Sequence, residues 1–212
     1  MARKQYGKQL GKIFAAAVLL ILTVIGLSYG SLLRGMDQAA EAYSRGDVEA
    51  ALGRYQEIEQ RLRSVGALRL IPADDRGNLI LNQARLLYAL GRYDDAQQAM
   101  DREAEIAGAT NDDGRFVLLK GEIAFRKAIK NYRDATEKDS QLLEDSLRTA
   151  EDILRDSLRL SPNDWDTKYN FEYVTYVRNL LSQSQRVQAN ILMDKLRTEK
   201  QPPTTLPAEL SP

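Results

Sequence analysis

The side chains that could carry out chemistry in this chain are few in kind. Its 212 residues include no cysteine and no histidine, which excludes thiolate nucleophiles, disulfides, histidine general bases and the Cys/His spacings of zinc sites. Carboxylates remain, and Asn111-Asp112-Asp113-Gly114 invites comparison with a calcium loop. Placing Gly114 at the invariant glycine of an EF-hand puts Ala109 at the first ligand position and Lys120 where the bidentate Glu belongs, so the loop cannot complete a coordination sphere. The segment reads instead as a polar turn in which Asp113 caps a helix starting near Arg115. Asp94, Asp95, Asp101, Glu103 and Glu105 fall around a helix surface, where solvation explains them. No G-x-x-x-x-G-K-[ST] or G-x-G-x-x-G pattern occurs. Gly26-Leu27-Ser28-Tyr29-Gly30 fits G-x-S-x-G, but a chain without histidine offers that serine no partner base. The expectation is a protein without catalytic residues, metal or cofactor, and therefore not an enzyme. The competing enzyme reading would have to rest on Lys, Asp and Ser alone.

Charge is balanced overall, with 30 basic and 30 acidic residues, but it is unevenly placed. Arg3, Lys4, Lys8 and Lys12 precede any acid, leaving the rest of the chain four acids in excess. A mildly acidic body argues against nucleic acid as a partner. Between Ile13 and Leu33 no charged residue occurs, and as a helix this stretch reaches about 32 Å, the thickness of a bilayer core. With the cations ahead of it, the positive-inside rule predicts a single-pass inner-membrane helix over 13–33, residues 1–12 in the cytoplasm, and the body periplasmic or extracellular. A cleaved signal peptide is the alternative, since Ser28 and Gly30 are small, and it would leave a soluble periplasmic body. The missing Ala-x-Ala pattern and the continuation through Leu32 and Leu33 favour the anchor.

Beyond residue 33 the pattern is helical, without sustained Val/Ile/Thr alternation. Ala39, Tyr43, Gly46, Val48, Ala51 and Tyr55 recur as Ala84, Tyr88, Gly91, Tyr93, Ala96 and Met100, and Gly121 with Phe125 repeats the small residue followed four later by an aromatic. Such a unit is a pair of helices. Gly46 or Gly91 supplies the left-handed turn, and the alanines permit close approach. Ala150, Leu154, Ser157 and Pro162 continue the pattern, with Pro162 stopping a helix and Asn163 or Asp164 capping the next.

These residues resemble the tetratricopeptide repeat, over roughly residues 37–181. The resemblance implies an all-α fold: an N-terminal transmembrane helix, a solenoid of about three helix pairs over 34–198, and a long closing helix from about Trp165 to Arg197. Residues 199–212, with four of the six prolines, are expected to form a disordered tail. The spacing of the repeats departs from a 34-residue period, and Arg133–Gln141 is a polar insertion between helices. Leu68–Pro72 is apolar for a linker, expected either to tuck under the body or to offer an exposed edge. Trp165 is expected to pack against the preceding pair.

In the tetratricopeptide family the first helix of each pair lines a concave face. Carried onto this chain, the implied partner-binding residues are Arg85, Tyr88, Glu122, Phe125, Arg126, Tyr169, Tyr173 and Tyr176. The basic N-terminus, the single apolar helix, and the Asp164-Trp165-Asp166 and Tyr169-Asn170-Phe171-Glu172 segments are similar to small membrane-anchored repeat proteins found beside MoxR-type ATPases and von Willebrand A-domain proteins. That group includes the K protein of methanol dehydrogenase maturation clusters. The similarity implies a bacterial envelope scaffold or assembly factor with protein partners. An oligomeric envelope or secretion-system subunit is the alternative. Another is a peptide-capturing groove that holds a carboxylate through Arg85, Lys120 or Arg126.

Overall fold

The computed structural model describes residues 2–107 and 113–183, with side chains for 14–102 and 113–182. Asn111, Asp112, the end of the expected closing helix and the proline-rich tail lie outside the described residues. Within them all regular structure is helical: α1 (Ala2–Ser44), α2 (Val48–Ser64), a 3₁₀ turn (Ala67–Arg69), α3 (Ala73–Ala89), α4 (Tyr93–Ala107), α5 (Gly114–Asp134), α6 (Ser140–Leu160) and α7 (Trp165–Gln183). The chain divides into two compact units between Ile71 and Pro72.

In the first unit, the apolar run and the first body helix are one element. α1 continues for 43 residues without a break, because nothing from Ile13 to Ser44 is a proline or a positive-φ glycine. It is long and apolar enough to cross a bilayer, a property that a signal sequence shares. Its apolar side chains stand open, Phe14 and Leu27 each being 72% exposed. Its hydroxyls bond back to their own helix, Thr23 Oγ1 donating to Leu19 O and Ser31 Oγ to Ser28 O, so neither needs water as a partner.

Gly46 turns the chain at φ +84°, and the Asp47 carboxylate accepts from Ala50 N at 3.0 Å to start α2. The helices then run antiparallel with Ala39, Ala42, Ala51, Leu52 and Tyr55 buried between them. The apolar linker beyond α2 is split in its behaviour. Leu68 is buried, while Leu70 is 83% exposed.

The second unit repeats the device. Gly91, at φ +73°, ends α3, with Gly91 N donating to Tyr88 O and Arg92 N to Leu87 O, and α4 follows. Asp113 caps α5 by accepting from Arg115 N. α5 and α6 cross closely where Gly121 faces Leu154, a Cβ at Gly121 being only 2.6 Å from the Leu154 side chain. Ser157 Oγ, buried, donates to Gly114 O at 3.0 Å across the same interface. The polar stretch after α5 is tied down by Lys138, whose ammonium donates to the carbonyls of Tyr132, Arg133 and Ala135.

Pro162 separates α6 from α7, and Asp164 caps α7 by accepting from Thr167 N at 2.8 Å. The core gathers Phe125, Ala128 and Tyr132 of α5, Leu143, Leu147, Ala150 and Leu154 of α6, and Val174, Val177 and Leu181 of α7. Buried Glu151 accepts from both Arg155 and Arg178, pinning α7 to α6 with its charge compensated. Trp165 departs from the expectation of packing. It is 76% exposed, because it shares a helical face with Tyr169 and Tyr176, the face turned away from Val174 and Val177.

Candidate partner-binding face

α3, α5 and α7 each send polar and aromatic side chains to a common strip. Tyr88 on α3 follows from the helical register of Ala84, which is buried, and lies just ahead of the Gly91 turn. Its hydroxyl accepts from Arg126 Nε of α5 at 3.2 Å, and its ring packs at 5.6 Å from that of Tyr93. One turn earlier on α5, Glu122 accepts from Asn170 Nδ2 of α7 at 2.9 Å. Asn170 is held in turn by donating to Asp166 O. The Arg126 guanidinium lies 5.7 Å from the Phe125 ring centre. Phe125 meets Tyr173 edge-on at 5.7 Å, and Tyr173 stacks on Tyr169 with planes 8° apart.

Seven of the eight residues implied by the repeat resemblance therefore fall in one neighbourhood, with Arg85 linked to it through its charge on Glu122. They do not share one degree of access. Phe125 is buried in the core, Glu122, Arg126 and Tyr173 are half-buried, and Tyr169 is open. Tyr176 is also exposed, on the outer side of α7. Lys120 lies elsewhere: it lines a cleft of about 340 Å³ between α4, α5 and α6, together with Met100, Phe116, Ile123, Lys127 and Ile153. The three cations suggested for carboxylate capture thus do not form one clamp, since six residues on α5 place Lys120 and Arg126 on different faces.

The electrostatics follow from partial removal from water. Burial pushes the Glu122 carboxyl up to about 7 against the charges of Arg85 and Arg126, with Asp166 adding to the rise. Tyr88 is pushed up to about 12, first by burial and then by Glu122, with Arg126 opposing. At Asp113 burial works upward, but the Arg115 side-chain and backbone hydrogen bonds outweigh it and the carboxyl is held low. Tyr93, a repeat position, and Asp166 and Asn170, in the segments that carry the family resemblance, were not among the expected site residues. Their only signal was position: Asn170 stands four residues after Asp166 and three before Tyr173.

The strip combines guanidinium, carboxyl and phenol groups with stacked rings, a surface suited to recognition through hydrogen bonds and aromatic contact. Among the described residues, no group of three or more carboxylates is arranged to hold a metal ion. No protein-family model, curated protein or solved structure matches the chain.

Proposed function

We propose that this protein is a membrane-anchored interaction scaffold, with α1 spanning the inner membrane, its basic end in the cytoplasm, and a tetratricopeptide-like body on the periplasmic side. The supporting observation is the strip on α3, α5 and α7, where Tyr88–Arg126, Glu122–Asn170 and Phe125–Tyr173 link alternate helices into one polar, aromatic surface. Side chains in such an arrangement are held by one another before a partner arrives, which lowers the ordering cost of binding. In its narrower form the proposal is an assembly or maturation factor acting with a MoxR-type ATPase and von Willebrand A-domain proteins. No reaction is assigned to the chain.

A structural envelope subunit that oligomerises is the second reading, favoured by the open stripe of Trp165, Tyr169 and Tyr176 on α7. One experiment separates the two. Full-length tagged protein is cross-linked in its native membrane, extracted in detergent, and its companions identified by mass spectrometry. Recovery of the ATPase and the A-domain proteins, reduced about tenfold by Arg126→Glu, is the outcome expected of the scaffold. Recovery of only the protein itself in a defined oligomer would leave the structural reading.

A further inference from the structure

We propose that the loop Val65–Ile71, at the far end of α2, sits in the headgroup region of the same bilayer that α1 crosses. The inference rests on reading α1 as a membrane span. Its geometry comes from the register of the α1–α2 hairpin, fixed by two contacts. Gly35 lies against Ile58, and Arg54 Nη1 donates to Gln38 Oε1 at 3.0 Å. Because the helices are antiparallel, each step along α2 toward its C-terminus faces a step back along α1 toward the membrane.

From Ile58 to Ser64, the end of α2, is six residues, or about 9 Å. The same count back from Gly35 reaches Tyr29, inside the charge-free run that ends at Leu33. α2 is longer than the stretch of α1 that stands clear of the run, so its end returns below the upper boundary of that run. Burial agrees: Leu32, in the last turn of the run, is only 6% exposed, while the residues from Phe14 to Leu27 stand open.

What the hairpin delivers to that level suits a lipid surface. Val65 is 75% and Leu70 83% exposed, two large apolar side chains with no protein cover. Arg61, Arg63 and Arg69 flank them in the chain, all exposed, with Arg61 and Arg63 paired to Glu57 and Glu59 one turn back on α2. Long basic side chains can lay their stems along the acyl boundary and lift their charges to the phosphates. Tyr29 stands on α1 at the same height, in the position that interfacial aromatic residues favour. An apolar tip flanked by arginines, level with the end of a spanning helix, would be costly in water and is favourable at the headgroup–acyl boundary. The consequence is a second point of membrane contact that limits tilting of the α1–α2 hairpin in the bilayer.

The absence of native cysteine allows the test on the full chain. Single variants Val65→Cys, Leu70→Cys, Arg45→Cys and Val18→Cys are labelled with a nitrobenzoxadiazole dye and reconstituted in vesicles of phosphatidylcholine and phosphatidylglycerol. Nitroxide quenchers are placed on the lipid headgroup or deep on the acyl chain, and unchanged far-UV helicity checks folding. The expected result is blue-shifted emission at positions 65 and 70 with quenching by the headgroup nitroxide, deep-chain quenching at 18, and water-like emission at 45. If 65 and 70 behave like 45 while 18 is deep, the loop stands in water: the proposal falls and the anchor reading survives. Blue-shifted emission at 65 and 70 without lipid quenching would mean that protein covers the loop, and also overturns it. Water-like emission at all four positions removes the spanning helix, and the proposal with it.

Discussion

Glu122 concentrates the chemistry of the strip. Its carboxyl sits between two arginines, which favour ionisation, yet burial outweighs them and lifts its pKa to about 7 from an ordinary value of 4.5. Between these two values the folded protein holds a proton that the unfolded chain has released. Folding stability therefore falls as pH rises through that window and levels off above about 7. Glu122→Gln keeps the amide–carboxyl shape and removes the titration. The variant is expected to show a flatter stability profile from pH 5 to 8 and to be more stable at pH 8, by on the order of 2 kcal/mol. Urea unfolding across that range measures both quantities. A wild-type profile already flat there would show that the carboxyl remains ionised beside Arg85 and Arg126.

At the scale of elements, the closest crossing lies between α5 and α6. Gly121 permits it because Leu154 occupies the space a β-carbon would need, and Leu154 is itself fully buried and cannot swing aside. Gly121→Ala would raise helix propensity in isolation, by up to about 1 kcal/mol. Overpacking opposes that gain at about 1–3 kcal/mol, so net destabilisation is expected. Chemical denaturation of the full chain in detergent reads the sign. In the double variant with Leu154→Ala, the cost of Gly121→Ala should shrink, since the β-carbon then enters vacated space. The same crossing carries Ser157 to Gly114 O and aligns Glu122 and Arg126 toward α7 and α3, so its spacing bears on the strip as well as on the core.

For the whole molecule, two compact units have unequal dependence on their ends. The second unit draws Val174, Val177 and Leu181 from α7 into its core, and Arg178 onto buried Glu151. At roughly 1.5–3 kcal/mol for each large apolar side chain, those contacts compare with the entire stability of an ordinary domain. A chain ended before Trp165 is expected to lose the cooperative melting of α5 and α6 while α1 and α2 keep their helicity. Circular dichroism with hydrogen exchange resolves the two. Melting as cooperative as that of the full chain would show that α7 is dispensable to the core.

Turns and caps were readable from residues alone because their causes are local. Gly46 and Gly91 take the left-handed conformation that ends a helix, Asp113 and Asp164 accept from backbone amides two and three residues on, and the charge-free run continues as helix. Helical class follows from the same local periodicities. Partnerships across helices were not readable. The Glu151 bridge to Arg178 joins residues 27 apart, and that of Glu122 to Asn170 spans 48. Neither leaves a spacing signal, and ordinary surface carboxylates have the same local sequence appearance. Trp165 shows the limit most plainly: its size argued for burial, but the face it occupies was decided by which side of α7 Val174 and Val177 turn inward. The sequence by itself determined the helices, their ends and the apolar first segment. Tertiary structure decided which faces pair, because that choice depends on the summed packing of residues far apart in the chain.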